Sequence, residues 1–466
     1  VLPGVVTLAE HWTGGEYGLT GIAPLSIFGY SFGPVALYEL TVGAFALVWV
    51  CAANLTQSAW GYRFKLLRDA PRAGEAVGIN LNKVRLVVYA WSSIPPALAG
   101  VMMAYTNRFV GYQSFGIGLT LFLLTGVVLG GGGSVWGPII GMAPLVVLSL
   151  FVGPFSEYNA IGLAVGLLIS SIVFTNGIVP EIVKRYQRRF PADAAAPPTA
   201  EMAEKRAAMF RNQTGSTRPV HPGPALEVTD VRKRFDGLQA LDGVRFTLSK
   251  GTLCGLVGPN GCGKSTFLNT ICGFVTPDTG SIAVNGRATT ALPPHALLGM
   301  GVGRSFQVPQ LVGDMTVLEN IESGLIGDER GRLWSSLLRT PAIRQQEARR
   351  REMAFAAFDE VGLPRSILHM KAEELSLGMK RLVEIGRAIA AHPSLLLLDE
   401  PAAGLNNTER SELGLLLRRL KTDGMTILVI EHNVPFVLDF CDEILLMQAG
   451  TIVTHASRSD KLPAQL

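Results

Sequence analysis

Nine consecutive residues, Gly258-Pro259-Asn260-Gly261-Cys262-Gly263-Lys264-Ser265-Thr266, have the types and spacing to grip a polyphosphate. The apolar run Leu253-Cys254-Gly255-Leu256-Val257 before them reads as a buried strand. Phe267-Leu268-Asn269-Thr270-Ile271 after them reads as the first turns of a helix. Strand, glycine loop and helix form the setting in which G-x-x-x-x-G-K-[ST] works as a phosphate cradle. Glycines let backbone N–H groups turn inward around an anion, and the helix N-terminus adds its positive end. Lys264 can reach the β- and γ-phosphates of a nucleoside triphosphate, and Ser265 can hold Mg²⁺. Cys262 fits as a small neutral filler rather than a redox handle.

Two acids end a second apolar strand, Leu395-Leu396-Leu397-Leu398-Asp399-Glu400-Pro401. After a phosphate loop, an acid at such a strand tip is placed to hold Mg²⁺, directly or through water, and that is the role read for Asp399. Glu400 can orient or deprotonate a water for in-line attack. An acid pair after a strand also serves as a helix cap; the loop at 258–266 on the same chain favours catalysis. His432 closes a third apolar strand, Thr426-Ile427-Leu428-Val429-Ile430-Glu431-His432, at the strand end where α/β sheets place ligands. Gln307, in Gly303-Arg304-Ser305-Phe306-Gln307, carries no signal by itself.

The elements that position these groups occupy only the back half. The chain has 466 residues, for which length alone suggests about three domains. Hydrophobic residues make up 48%, mean hydropathy is +0.31, and charged residues are 17%, below the roughly 25% of ordinary globular chains. No Lys or Arg precedes Arg63, and between Arg85 and Lys184 there is only Arg108. An apolar front half is therefore joined to an ordinary charged back half. The net charge of +4 does not argue for a nucleic-acid partner. Five scattered cysteines without a C-x-x-C pair suggest neither a disulfide framework nor a zinc site. The first residue is Val1, and no basic segment precedes the first apolar residues, so a signal peptide is not expected.

Residues 1–9 read as a short apolar end and 10–36, rich in Gly, Thr, Ser and Pro, as a loop. Residues 36–59 are nearly continuously apolar and long enough for a bilayer of about 30 Å. Arg63, Lys65, Arg68 and Arg72 mark the cytoplasmic side of that span, which leaves the loop at 10–36 outside. The charged, amphipathic stretch 61–83 reads as a short cytoplasmic helix ending near Gly78, or as a solvated loop that orients the spans. A second span covers 84–105 with Pro95-Pro96 in its middle, a break tolerated where protein or a wet cavity covers it. Residues 117–129 would cover only about 20 Å. They run into Gly130-Gly131-Gly132-Gly133-Ser134 and a further apolar run to Val152. That pair is either a broken-helix site at depth or a plain helical hairpin. A last span is expected at 158–174, closed by Lys184, Arg185, Arg188 and Arg189. Residues 187–224 read as a flexible linker with one helical piece at 199–211, and strand and helix alternate from Ala225 onward.

Taken together, the motifs from Ala225 to Thr454 resemble the ATP-binding-cassette (ABC) ATPases, with every family motif in order. The expected fold is an α-helical transmembrane bundle followed by an α/β P-loop NTPase domain of this kind. The resemblance implies that Phe235 stacks on adenine and that ATP and Mg²⁺ are the ligands. It makes Gln307 the Q-loop residue linking nucleotide to permease, a companion of Ser265 and Asp399 at the metal. Leu375-Ser376-Leu377-Gly378-Met379-Lys380-Arg381 becomes the signature, whose Ser376 and Gly378 face ATP bound by a partner cassette. Asp399 and Glu400 become the Walker B acid and general base, His432 the switch histidine, and Lys264 the catalytic lysine. Leu377 and Met379 stand where the commonest signature has Gly and Gln, and Asn406 where many relatives have Asp.

Pro401-Ala402-Ala403-Gly404-Leu405-Asn406, Glu431-His432-Asn433 and the long segment 324–351 are similar to the ATPase of branched-chain amino acid importers. The front half independently resembles the permease of the same system, through Gly18-Leu19-Thr20-Gly21-Ile22, Gly74-Glu75-Ala76-Val77-Gly78-Ile79-Asn80 and Val128 to Pro138. That resemblance makes 66–80 a coupling helix. The implied layout is a partial permease at 1–186, a linker at 187–224 and an ATP-binding domain at 225–466, in the bacterial inner (plasma) membrane. Since such permeases carry more apolar helices upstream, the resemblance implies either a truncated start or missing spans supplied from elsewhere. Expected partners are a second permease subunit, a second cassette, an extracytoplasmic solute-binding protein and membrane lipid. Alternatives are the same machinery carrying urea or short amides, and a membrane-anchored regulatory ATPase without transport.

Overall fold

The computed structural model describes residues 14–152, 177–189, 223–327 and 333–457, together with His11 and Leu168. The expected span at 158–174, apart from Leu168, the helical piece at 199–211 and the apolar end at 1–9 lie outside the described residues. The chain divides into two compact units: residues 1–54 with 89–196, and residues 55–88 with 197–466. In chain order the front part carries β1 (Leu19–Thr20), β2 (Ser26–Ile27), β3 (Tyr30–Ser31), α1 (Pro34–Thr56), α2 (Ala59–Asp69), α3 (Pro71–Ala76), α4 (Leu81–Asn107), β4 (Phe109–Val110), α5 (Ile117–Gly130), α6 (Gly137–Val152) and α7 (Ile178–Arg189).

In the first unit, α1 and α4 are long and apolar enough to cross a membrane, with 23 and 27 residues. Helix α4 runs unbroken through Pro95 and Pro96. The stretch read as a loop at 10–36 holds a small hairpin, β2 with β3, while β1 pairs antiparallel with β4. The shorter α5 and α6 pack on each other backbone to backbone. A Cβ on Gly130 would stand 1.7 Å from the Gly137 carbonyl oxygen, and one on Gly141 would stand 2.0 Å from that of Gly126. The described residues form a tight helical pair, because glycine on both faces lets the helices touch.

The second unit contains β5 (Leu226–Phe235), β6 (Leu238–Leu248), β7 (Leu253–Val257), α8 (Lys264–Ile271), β8 (Thr279–Val284), β9 (Arg287–Ala288), α9 (Pro294–Leu297), β10 (Val302–Arg304), α10 (Val317–Glu322), α11 (Leu333–Leu337), α12 (Pro341–Glu360), α13 (Leu377–Ala390), β11 (Leu395–Asp399), α14 (Asn407–Thr422), β12 (Thr426–Ile430), α15 (Val434–Phe440), β13 (Glu443–Gln448) and β14 (Thr451–Ser457). The main sheet runs β10-β11-β12-β7-β13-β14, parallel except for β14, and a second, antiparallel sheet runs β6-β5-β8-β9. Strands β7, β11 and β12 are buried throughout, as expected for a parallel sheet covered on both faces. Their residues alternate between two cores: Leu396 and Leu398 join Phe358 and Val383 on one face, while Leu395 and Leu397 join Phe267 and Leu256 on the other. The sheet thereby sets the C-terminal tips of β7, β11 and β12 side by side.

The segment 55–88 packs into this unit. One helix was expected near 66–80; the structure has two. Pro71 has no N–H and drives the preceding residue out of helical geometry, so Ala70 takes φ −142° and ψ 61°. Leu66, Ala70, Ala73, Val77, Ile79, Leu81 and Val84 form a single buried cluster with Phe306, Val312 and Met315. At Gly78, φ is +85°, and a Cβ there would lie 3.1 Å from the Gly327 Cα. Polar contacts surround the cluster. Arg63 donates to the Ile326 carbonyl at 3.1 Å, Tyr62 donates to Glu322 Oε2 at 3.3 Å, and Arg350 pairs with Glu322 Oε1 at 2.8 Å. Burial and the neighbouring carboxylates push the Tyr62 phenol well above its ordinary value, so it stays a donor. Leu66 is fully buried, and Leu66→Ala should cost about 2–5 kcal/mol at this junction. Hydrogen exchange at the amides of 312–315 should accelerate in that variant; wild-type protection there would contradict the packing role.

Candidate nucleotide-binding site

Strand β7 delivers the loop 258–263 into the first turn of α8. The loop is crowded from behind: a Cβ on Gly263, whose φ is +107°, would stand 2.3 Å from the Ala240 carbonyl oxygen. Only glycine fits that left-handed, close-packed position. Pro259, Asn260 and Gly261 are exposed on the outer side, and Cys262 is buried behind them. The Lys264 side chain is buried and lies back across the loop, donating to the carbonyls of Gly258 at 2.7 Å and Pro259 at 2.8 Å. Ser265 is exposed and Thr266 half-buried on the same turn.

Glu400, Gln307 and His432 come together although 93 and 32 residues separate Glu400 from the other two. Glu400 has φ +48°, a left-handed conformation uncommon outside glycine. Its N–H donates to the Ile430 carbonyl at 2.9 Å, which anchors the turn to β12. One carboxylate oxygen, Oε2, accepts from Gln307 Nε2 at 2.9 Å, and Oε1 lies 2.7 Å from His432 Nε2. Asp399, one residue earlier, is buried, and its Oδ1 has no hydrogen-bond partner. Burial pushes its carboxyl above the ordinary range, partly opposed by the Arg304 guanidinium 3.9 Å away. Arg304 in turn donates to Asn269 of α8 at 2.7 Å and stacks on Phe274 and Phe306. A hydroxyl (Ser265), a carboxylate with an unpaired oxygen (Asp399) and a side-chain amide oxygen (Gln307) are a donor set suited to a hard divalent cation.

Two sequence profiles match the chain: that of the ABC transporter family over residues 241–403, and that of the branched-chain amino acid transport system / permease component over residues 2–174. The high-affinity branched-chain amino acid transport ATP-binding protein BraF of Pseudomonas aeruginosa is 35% identical over 247 residues, 52% of this chain and 93% of its own. Its counterpart LivG of Salmonella typhimurium is 37% identical over 235 residues, 50% of this chain and 92% of its own. A crystal structure of a nucleotide-free ATP-binding cassette from an ABC transporter is 35% identical and aligns over 50% of this chain and 91% of its own, with a TM-score of 0.45. This chain belongs to the ABC transporter family. It joins a permease component and an ATP-binding cassette in one polypeptide, and the cassette is an ATP hydrolase coupled to transport.

Other predicted residues of the cassette lie apart from the Glu400 cluster. Ser376 caps α13, its Oγ accepting from the Met379 N–H at 3.4 Å. The nearest neighbours of a Cβ on Gly378 are Glu409 and Leu405 at the start of α14. Asn406 and Glu409 cap α14 reciprocally, at 3.0 and 2.9 Å, so the Asn that replaces the commoner Asp has a helix-capping role here. Leu377 is exposed beside them. Phe235, at the end of β5, is 42% exposed, with the Lys233 amine 5.4 Å from its ring centre.

Sequence reading missed the residues that hold the loops of the cassette in place. Arg381 donates to the Gln307 carbonyl at 3.0 Å and to the Ala403 carbonyl at 3.1 Å. Glu384 accepts from the N–H groups of Gln310 at 2.9 Å and Phe306 at 3.3 Å, and Arg387 donates to the Gln310 carbonyl at 2.6 Å. Glu431 accepts from the Ala402 N–H at 2.6 Å. Burial pushes Glu384 and Glu431 up and Arg381 and Arg387 down, in each case against the pull of its partners. A signal existed: Arg381, Glu384 and Arg387 recur every third residue among Leu382, Val383, Ile385 and Ile389, which puts charge on the buried stripe of a helix. Removing a charged donor to two carbonyls costs about 1.5–3 kcal/mol per bond. Arg381→Ala should therefore lower the ATP turnover number at least tenfold, with nucleotide affinity near wild type. A change confined to affinity would remove it from the positioning role.

Proposed function

We propose that this chain is the permease-plus-ATPase component of an importer for branched-chain or related amino acids, in the bacterial inner membrane. Its partners are a second permease subunit, a second cassette and an extracytoplasmic solute-binding protein. The observation that carries the coupling is a single step of backbone. Gln307 holds the Glu400 carboxylate, and Phe306 beside it sits in the cluster with Leu66 to Val84. The substrate class is supported by the permease match at 2–174 and by what the named relatives transport.

In this reading the 258–266 loop wraps the phosphates of ATP, and Lys264 swings from its own loop carbonyls to the β- and γ-phosphates. Phe235 offers its exposed ring to the adenine. Ser265, Asp399 and Gln307 would hold Mg²⁺, which supplies charge neutralisation to the phosphates when bound. Glu400 takes a proton from the attacking water, while Gln307 and His432 fix both of its oxygens. Ser376 and Gly378 face the nucleotide of the partner cassette, and closure of the pair moves Gln307, then Phe306, then α2 and α3.

Glu400→Gln should keep ATP binding but lower turnover by about 10²–10⁴-fold, the usual worth of a general base. Unchanged phosphate release would remove Glu400 from that role. Reconstituted with its partners, the complex should take up leucine in an ATP-dependent manner. ATP-driven uptake of another solute without leucine would overturn the substrate while leaving the machinery intact.

A further inference from the structure

The segment 324–351 is unexplained by nucleotide chemistry, and its described part has an unusual surface. Helix α11 packs Ser336 and Leu337 inward, at 2% and 4% exposure, while its Trp334 and the following Leu338 face outward, at 75% and 74%. The outward pair is spaced i, i+4, so the two side chains share one face. Residues 333–344, Leu-Trp-Ser-Ser-Leu-Leu-Arg-Thr-Pro-Ala-Ile-Arg, contain no acid. Arg344 is exposed. Arg339 has φ +46° and ends the helix.

Arg339 also anchors the end of α11. Its Nη1 donates to Gln57 Oε1 at 2.8 Å. Gln57 follows Thr56, the last residue of the 23-residue apolar α1, which at 1.5 Å per residue is about 34 Å long. A helix of that length reaches from one face of a bilayer core of about 30 Å to the other. Gln57 therefore follows the point where α1 leaves the bilayer on the side of Arg63 and Lys65, and Arg339 holds the end of α11 to Gln57. Tryptophan and arginine are the residues that headgroup regions accommodate: an amphipathic ring at the interface, and guanidinium groups on anionic phosphates.

We infer that Trp334 and Leu338 form an interfacial foot of the cassette, set among the lipid headgroups of the cytoplasmic leaflet beside the end of α1, with Arg344 against anionic lipid phosphates. The inference rests on the reading of α1 as a membrane span. It gives the 324–351 segment a lipid partner that the nucleotide chemistry does not need.

Nitroxide accessibility on the full chain tests it, in nanodiscs containing phosphatidylglycerol. The label goes on Leu338→Cys in a Cys51→Ser background, the other four cysteines being buried. Leu47→Cys in α1 and Leu415→Cys on α14, both exposed, serve as lipid and water references. The oxygen-to-nickel collision ratio at 338 should lie above that at 415 and below that at 47. It should fall toward the value at 415 when phosphatidylcholine replaces phosphatidylglycerol, and Arg344→Gln should shrink that fall. A ratio at 338 equal to that at 415, with 47 in lipid, overturns the foot alone. A label at 338 shielded from both reagents places protein over the patch and also overturns it. A water-like ratio at 47 removes the span reading and the foot with it.

Discussion

The peptide between Phe306 and Gln307 joins the Glu400 carboxylate to the buried cluster of residues 66–84. Successive side chains of an extended segment point to opposite sides. Here one side holds the Glu400 carboxylate and the other is buried with Leu66, Ala70, Ala73 and Val77. The carbonyl of Gln307 is gripped by Arg381, and the N–H of Phe306 by Glu384. Residues 306–307 are thereby tied both to α13 and to the apolar cluster, and close-packed interiors transmit strain rather than dissipate it.

The clamp on α13 is built from charges that gain little by being buried. Glu384 and Arg387 are both almost wholly buried, and their side chains approach at 3.4 Å. Such pairs seldom add stability over an apolar replacement, because desolvation offsets their attraction. What they supply here is direction. Glu384 accepts two backbone N–H groups and Arg387 donates to a carbonyl of the same loop, so residues 306–310 have one satisfied conformation. Glu431 does the same for Ala402 from the far side of Glu400. The left-handed Glu400 backbone is thus held from several directions, which is the condition under which a strained residue persists.

How much of this was legible in the sequence follows from how local each signal is. The phosphate loop is a contiguous nine-residue pattern, and β7, β11 and β12 are buried apolar runs, so both could be read directly. The long apolar helices α1 and α4 were legible from length and hydropathy, and their ends shifted only by a few residues. The break at Ala70 was not read, although Pro71 announces it. The partners of Arg381, Glu384 and Glu431 were not legible because they are backbone atoms of distant loops. Sequence pattern marks a buried charge but not what satisfies it. The joining of Phe306 to α2 and α3 was likewise a matter of tertiary packing between segments some 240 positions apart.

The two ends of this path differ in how firmly they are held. At the docking end, Gly78 and Gly327 bring backbone against backbone, Arg63 and Tyr62 add hydrogen bonds, and the residues clustered around Leu66 are buried. At the chemical end, Glu400 meets Gln307 and His432 through one contact each, and both of those partners are partly open to solvent. Exposed single hydrogen bonds are worth about 1 kcal/mol, while each fully buried aliphatic side chain is worth about 1.5–3 kcal/mol. The bonds at Glu400 are therefore the ones that exchange most readily for contacts with a ligand or water. The docked α2 and α3 share one buried cluster with Phe306, Val312 and Met315. A coupling device needs that order of strengths, since a joint weaker than its trigger would slip before transmitting anything.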